Sequence, residues 1–251
     1  MLLHDIDSPE IFHGNSLERN VREYKASDKF DIVLMNPPYG GTESEGIKTN
    51  FPADLRSSET ADLFMSVTMY RLNNTGRAAI IIPDGFLFGA DNAKIAIKKK
   101  LLEEFNLHTI VRMPSSVFSP YTSITTNILF FDAAKRTDKV WFYRVDMPEG
   151  YKHFSKTKPM KIEHFNDCIV WWNERKEIKD METSTYKAKS YTLQELVNRG
   201  YDIDLCGYPT EEEEVLLPEE TIKLFHEKRD SLNAKIDKQL TEIERLLEIQ
   251  K

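Results

Sequence analysis

Asn36-Pro37-Pro38-Tyr39 is the stretch of this 251-residue sequence whose residue types and order could do chemistry. With each residue at about one in twenty, the tetrapeptide would arise by chance in such a chain on the order of once in a thousand. The Asn36 side-chain oxygen and the Pro37 backbone carbonyl are two acceptors suited to the two hydrogens of a planar amine. The exocyclic amino group of adenine is such an amine, and it is a poor nucleophile because its lone pair is delocalised into the ring. Acceptors aimed at both hydrogens favour a pyramidal nitrogen and disperse the positive charge that grows as a methyl group arrives. The prolines fix φ at positions 37 and 38 and keep the residue before each extended, so the Pro37 carbonyl is held rigidly. Tyr39 offers a flat face to a base extruded from the duplex, where alone the amino group can be reached. Positioning and electrostatics suffice, and no strong base is needed. The bland alternative is a rigid turn that merely ends a strand.

The elements around the motif must place it at the rim of a sheet. Phe30-Asp-Ile-Val-Leu-Met35 is an apolar run stopped by the prolines, which predicts a buried strand. Residues 40–52 hold four Gly or Pro and read as a loop. Ala61 to Leu72 has apolar residues at helical spacing, with Thr60 as a candidate N-cap. A second buried strand is predicted over Arg77–Ile82, closed by Pro83-Asp84-Gly85, then a helix over Ala93–Phe105 and a strand over Leu107–Met113. Thr125–Phe131 and Lys139–Val145 are strand-like runs around a polar turn, and predict a hairpin. This is the back half of an α/β sheet with an antiparallel edge, its motif at a carboxyl strand end where such folds place ligands. A doubly wound domain would carry more strands before Phe30.

Composition sets bounds on the partners. The net charge of −7 argues against gripping DNA mainly through this chain's own surface. Much of the imbalance lies in residues 211–251, with 12 acidic and 7 basic residues, a net of −5; the rest is near −2. Cys168 and Cys206 are too few and too far apart for a disulfide framework or zinc site, so no metal is expected and a reduced, cytoplasmic protein fits. No stretch approaches the roughly 18 apolar residues of a membrane span. After Pro148 the chain becomes charged, with short predicted helices and the pair Trp171-Trp172. Glu211–Glu214 reads as an acidic linker. Pro218–Lys251 reads as one long helix with a narrow stripe of Phe225, Leu232, Ile236, Leu240, Ile243 and Leu247, suited to packing on another helix or on its own domain. The expected division is a catalytic part over 1–147, a helical and irregular extension over 148–210, and a C-terminal helix over 211–251 for subunit contact.

Asn-Pro-Pro-Tyr after an Asp-Ile-Val-Leu strand resembles the catalytic motif of amino-group methyltransferases that use S-adenosylmethionine. Further segments resemble the modification subunit of type I restriction–modification systems: Met1-Leu-Leu-His-Asp-Ile6, Gly14-Asn-Ser-Leu17, Gly40-Gly41, Ala61-Asp-Leu-Phe64, Gly76-Arg-Ala-Ala-Ile-Ile-Ile-Pro-Asp-Gly85 and Phe118-Ser-Pro-Tyr-Thr-Ser-Ile-Thr-Thr-Asn-Ile-Leu-Phe-Phe131. The likeness runs from Met1 to about Val145, and more loosely to Tyr201-Asp-Ile-Asp204. It implies an α/β, Rossmann-like methyltransferase sheet lacking its first strands, with a helical C-terminal extension. It also implies site-specific N6-adenine methylation of duplex DNA in complex with a specificity subunit and a restriction subunit.

The same resemblance implies roles for single residues. Asn36, Pro37, Pro38 and Tyr39 would serve the flipped adenine. Asn15, Ser16, Leu17, Asn36, Asp62 and Phe64 would line the S-adenosylmethionine site. On sequence grounds Asn15 reads equally as a turn residue, and Phe64 as ordinary core. The family's glycine-rich turn and its acidic ribose partner do not occur here, since the ten glycines contain no Gly-x-Gly. The readings left open are a methyltransferase that depends on other polypeptide for its donor, one acting instead on protein glutamine or RNA, and a non-catalytic remnant or interaction module. A sheet without its first strands predicts unpaired edges, and hence self-association or dependence on a partner.

Overall fold

The computed structural model describes residues 9–179 and 185–205, together with positions 225, 226, 229, 230, 233, 236, 237 and 239–241. The chain forms two units, Met1–Pro209 and Thr210–Lys251. In the first, seven strands build one sheet: β1 Phe30–Met35, β2 Leu72–Pro83, β3 Asn106–Arg112, β4 Thr126–Asp132, β5 Lys139–Arg144, β6 Ile178–Lys179 and β7 Tyr186–Thr192. Their order across the sheet is β1-β2-β4-β3-β5-β7-β6. β1 runs parallel to β2, and β3 parallel to β5; β4 runs antiparallel to both β2 and β3.

The helices are α1 Glu45–Lys48, α2 Thr60–Arg71, α3 Asp84–Phe88, α4 Asn92–Glu104, α5 Asn166–Asn173 and α6 Leu193–Asn198. One face of the sheet carries the main core, where Ile80, Ile82, Leu129, Phe131, Ile110 and Phe142 meet Met65 and Met69 of α2 and Ile97 and Leu101 of α4. On the other face α5 packs Cys168 and Trp171 onto Val111, Tyr143 and Ala188. α2 also has a third set of contacts, in which Leu63 and Val67 pack on Leu17, Val21 and Phe51. It is therefore sandwiched, and this explains why nearly every residue from Thr60 to Met69 is buried rather than only one stripe.

Three expectations change. The hairpin of β4 and β5 does not form, because β3 lies between them. β4 carries Ile128-Leu129-Phe130-Phe131, apolar toward both faces, and packs Leu129 and Phe131 into one core and Ile128 and Phe130 against the other, as an interior strand does. The polar segment after it crosses the start of β3, where buried Thr137 donates to the Phe105 carbonyl (2.9 Å) and accepts from the Leu107 N–H (2.9 Å). Second, residues 148–210 are not only helical and irregular: β7 pairs with β5 along Lys139–Tyr143, and its half-exposed Tyr-Lys-Ala-Lys-Ser-Tyr alternation suits an outer strand. Third, Thr60 is the first residue of α2 and not its cap, which is Glu59, without a side-chain bond to the helix. The loop over 40–52 also contains the short α1, capped by the Ser44 hydroxyl.

Among the described residues β1 is the sheet's first strand and pairs only with β2. Its Val33 and Met35 pack against the main core. By strand alternation Ile32 and Leu34 project from the other face, and they are 55% and 79% exposed. The strand read as buried is thus an apolar edge. In the second unit the described positions are helical and include exposed Phe225, Ile236 and Leu240; Leu232, Ile243, Leu247 and the linker Glu211–Glu214 lie outside the described residues, as do Met1–Ile6 and Cys206. Among the described residues no helix is long and apolar enough to cross a membrane.

Two predictions follow from these surfaces. An unpaired apolar edge promotes association, so sedimentation velocity should show concentration-dependent self-association of the isolated chain, suppressed in an Ile32→Lys, Leu34→Lys double variant. A wild-type monomer up to high micromolar concentration contradicts this. On β3, His108 lies edge-on to Trp172 at 5.9 Å, and burial, helped by Arg175, lowers its pKa to about 4. The folded state thus resists a proton that the unfolded chain accepts at about 6.5, so stability falls as pH drops from about 6.5 to about 4, by on the order of 3 kcal/mol at most. Urea unfolding of His108→Phe against pH should lack that limb.

Candidate active site at the end of the edge strand

β1, β2, β3 and β5 point the same way, so their carboxyl ends share one rim of the sheet. Asn36-Pro37-Pro38-Tyr39 leaves β1 at that rim. Pro37 is buried, Asn36 and Pro38 are exposed, and Tyr39 is half-buried. The Tyr39 hydroxyl donates to Asn36 Oδ1 at 2.5 Å. That bond holds the carboxamide oxygen toward the Tyr39 hydroxyl, and the oxygen keeps a second lone pair for another donor. Burial pushes the Tyr39 phenol up to about 12, so it stays neutral and donating through the physiological range. The Asn36 oxygen and the Tyr39 ring are thus joined directly, and Pro37 between them in sequence is buried.

A second aromatic joins it. The connection from β3 to β4, residues 113–125, lies on the same rim and sets the Phe118 ring edge-on to Tyr39, with centroids 5.9 Å apart and planes at 65°. Loop turns hold Phe118, whose carbonyl accepts from the N–H groups of Tyr121 (2.9 Å) and Thr122 (3.3 Å). Sequence reasoning quoted the segment from Phe118 to Phe131 yet assigned it no site residue. An aromatic at the head of a Ser/Thr/Pro-rich connection between two strands was the available signal.

Below the motif the chain is tied to the start of α2. Gly40 adopts φ +71°, the left-handed region that favours glycine. At Gly41 a Cβ would sit 2.8 Å from Thr60 Oγ1, so only glycine lets the loop approach. There the Thr60 N–H donates to the Gly41 carbonyl (2.9 Å), and Thr42 bridges to Glu59. Glu59 meets the Lys94 ammonium at 2.6 Å, and Lys94 also reaches Asp62 and Asp91, each at 3.2 Å. Asp91 caps α4 by accepting from the Lys94 N–H (3.0 Å). Burial opposes the Lys94 charge, but the three carboxylates outweigh it and hold its pKa above the ordinary lysine value. Burial pushes the Asp62 carboxyl up, against the Ser57 hydroxyl bond (2.6 Å) and Lys94, which pull it down. Lys94 therefore braces the N-termini of α2 and α4 under the motif.

The remaining expected site residues are placed as follows. Asn15 and Ser16 are exposed, and Asn15 Oδ1 accepts from the Leu17 N–H (2.9 Å) in a local turn. Leu17 is 1% exposed inside the cluster on the outer side of α2. Phe64 is half-buried against that cluster. Asp62 is 0% exposed, with Oδ1 lacking a hydrogen-bond partner. The structure thus unites Asn36, Pro37 and Tyr39, links them through the loop to the neighbourhood of Asp62, and leaves Asn15–Leu17 in a segment wrapped on α2.

The profile of the N-6 DNA Methylase family matches residues 1–215. The chain belongs to the N-6 DNA methylase family. It is 45% identical over 207 residues to the type I restriction enzyme EcoEI methylase subunit of Escherichia coli, covering 82% of this chain and 41% of that protein. To the EcoKI methylase subunit of Escherichia coli K12 it is 31% identical over 179 residues, 65% of this chain and 32% of that one. Among solved structures, the modification subunit of a putative type I restriction enzyme from Vibrio vulnificus YJ016 superposes with a TM-score of 0.72 at 40% identity, covering 85% of this chain and 45% of that one. This methylase family member therefore spans about half or less of the length of these relatives. The sheet is that of the S-adenosylmethionine-dependent methyltransferases, as expected.

S-adenosylmethionine presents an ammonium, a carboxylate and ribose hydroxyls, and needs accessible acceptors and donors. Of the residues expected to meet it, Leu17 and Asp62 are sealed and the Asn15 oxygen closes its own turn. Asn15, Leu17 and Asp62 as placed offer the cofactor no open acceptor, whereas Ser16 and Asn36 are exposed and Phe64 is half-buried. If Lys94 is that brace, Lys94→Met strands a buried carboxylate and should cost about 3–5 kcal/mol in urea unfolding, with much of the loss recovered in a Lys94→Met, Asp62→Leu double variant. Additive losses in the double variant would refute the pairing.

Proposed function

We propose that this chain is the adenine-handling part of a site-specific DNA adenine-N6 methyltransferase, the modification subunit of a type I restriction–modification system. The observation that carries the reading is the constellation of Asn36, Pro37, Tyr39 and Phe118 at one rim of the sheet. The relatives named above are methylase or modification subunits of type I restriction enzymes. Duplex DNA is the substrate and a flipped adenine the target. A specificity subunit reads the sequence, which agrees with the acidic balance of this chain. A restriction subunit completes the assembly, and the 211–251 segment is the surface for subunit contact. The methyl donor is S-adenosylmethionine, bound with groups beyond those that this chain's described residues offer.

The chain's own residues act on the amine. Asn36 Oδ1 uses its free lone pair, and the Pro37 carbonyl its own, to accept the two amino hydrogens. Tyr39 and Phe118 confine the base by stacking, a contact worth about 1–3 kcal/mol per base. Bonded from both sides, the nitrogen pyramidalises and its lone pair leaves conjugation with the ring. The proton it sheds after methylation passes to water, since Asn36 stands exposed at the rim.

The test is isotopic methyl transfer to an adenine-containing duplex by this chain assembled with its specificity subunit and with the polypeptide that completes the donor site. Asn36→Ala should lower the rate about 10²–10³-fold with folding retained. Tyr39→Phe keeps the stacking face and should cost far less than Tyr39→Ala. Label appearing on protein glutamine or RNA and not on DNA would overturn the substrate. An unaffected Asn36→Ala enzyme would overturn the site.

A further inference from the structure

The motif and its aromatic partner leave one buried cluster on the same rim without a role. Arg112, the last residue of β3, is 5% exposed. Its Nε donates to Asn127 Oδ1 at 3.1 Å, and its Nη2 donates to Asp84 Oδ1 at 3.0 Å and Asp204 Oδ1 at 2.6 Å. Asn127 in turn donates to Asp84 Oδ1 at 2.6 Å. One guanidinium thus gathers three separate segments: the β3–β4 pair, the start of α3, and the stretch after α6.

The β3–β4 segment is the stem of the aromatic loop. Arg112 and Asn127 face each other across it, and the Met113 N–H closes it on the Thr126 carbonyl at 3.0 Å. The Asp84 N–H donates to the Thr125 carbonyl at 3.2 Å, so α3 holds the stem from its other side. The loop is anchored further out where the Phe154 N–H donates to Ser116 Oγ at 2.9 Å. Between stem and anchor lies Phe118, against Tyr39. The third segment is fixed independently, since Ile203 is fully buried and its N–H donates to the Leu87 carbonyl at 3.2 Å. Asp204 is therefore presented to Arg112 by a rigid neighbour, a few residues before the chain enters its second unit.

We propose that Arg112 is a positioning residue which, through Asp204, couples the segment leading to the C-terminal unit to the loop that sets Phe118 against Tyr39. The inference rests on the proposed adenine site for its functional meaning, but its geometry stands apart from it. A guanidinium fork gives direction as well as charge. With Asp84 and Asp204 both engaged, the side chain cannot swing, and the stem cannot shear against α3. With Asp204 neutralised, Asp84 still balances the charge, so the loss falls on orientation more than on stability. A partner that shifts the segment around Asp204 changes the aromatic clamp without touching it.

Hydrogen exchange on the full chain tests the coupling without any methyl transfer. Asp204→Asn should speed exchange of the Tyr121 and Thr122 amides about tenfold while the amides of β2 and β5 keep their protection. Unchanged loop exchange, or acceleration spread over the whole sheet, overturns the proposal. A double-mutant cycle on the assembled methyltransferase gives the functional half. Asp204→Asn should lower kcat several-fold with KM for DNA little changed, and the effect should vanish on a Phe118→Leu background. Effects that multiply independently mean a purely structural role and sink the coupling. Arg112→Lys, which keeps the charge and loses the fork, should reproduce the loop loosening. If the loop loosens as expected but Asn36→Ala transfers methyl normally, the clamp stands and the adenine site fails.

Discussion

The arrangement of this molecule depends on one pairing, the insertion of β4 antiparallel between β2 and β3. Seven residues of β4 pair with β2 from Arg77 to Pro83, and its other edge pairs with β3 from Asn106 to Arg112. Because β2 and β3 are parallel, a strand returning between them must begin at the rim where they end. The connection that enters it therefore lies at that rim as well, beside the end of β1. This is why an aromatic more than 70 residues from the motif in sequence meets Tyr39 in space. It is also why Arg112 and Asn127 stand opposite one another at the loop's root.

The support of the motif follows from a different economy. The prolines rigidify the backbone from within, but they leave residues 37 and 38 without N–H donors to bind the turn to its surroundings. The loop gains its anchorage one step later, where Gly41 and Thr42 meet Glu59 and Thr60. That contact has value only if the start of α2 is itself fixed. Lys94 supplies the fixity by joining carboxylates from the approach to α2, from α2 itself and from the cap of α4. A buried ammonium among three acids adds little net stability over apolar packing. It does set the direction and distance at which the start of α2 meets the loop after the motif.

Much of this was legible in the residues, and the failures have physical causes. Strand and helix positions around Asn36 follow from apolar runs ended by Pro or Gly, and the structure places β1, α2, α4 and β3 within a residue or two of them. The sequence of β4, apolar on both faces, carried the information that it is an interior strand covered on both faces of the sheet. The polar turn before Lys139 drew attention to the wrong one, because local turn chemistry does not reveal that Thr137 crosses beneath β3. The same double-faced pattern in Phe30–Met35 predicted burial, yet Ile32 and Leu34 are exposed here. Periodicity reports what a strand is suited to contact, and among the described residues only the face of Val33 and Met35 is covered. For Asp62 the residue type suggested a ligand contact, while Ser57 and Lys94, distant in sequence or unremarkable in type, turn the carboxylate inward.

The exposed edge and the adenine constellation have a common origin. A strand whose carboxyl end presents Asn36 and Tyr39 must itself be held flat and in register, and β2 alone does this from one side through five paired positions. On its other side no strand pairs with β1 among the described residues, and on one face of the sheet Ile32 and Leu34 are exposed. Among the described residues the contacts of Tyr39 with Asn36 and with Phe118 are in place while that edge is open, and Lys94 holds the starts of α2 and α4 beneath them. The order of the motif therefore comes from the loops and helix starts around it and not from a second neighbour of β1.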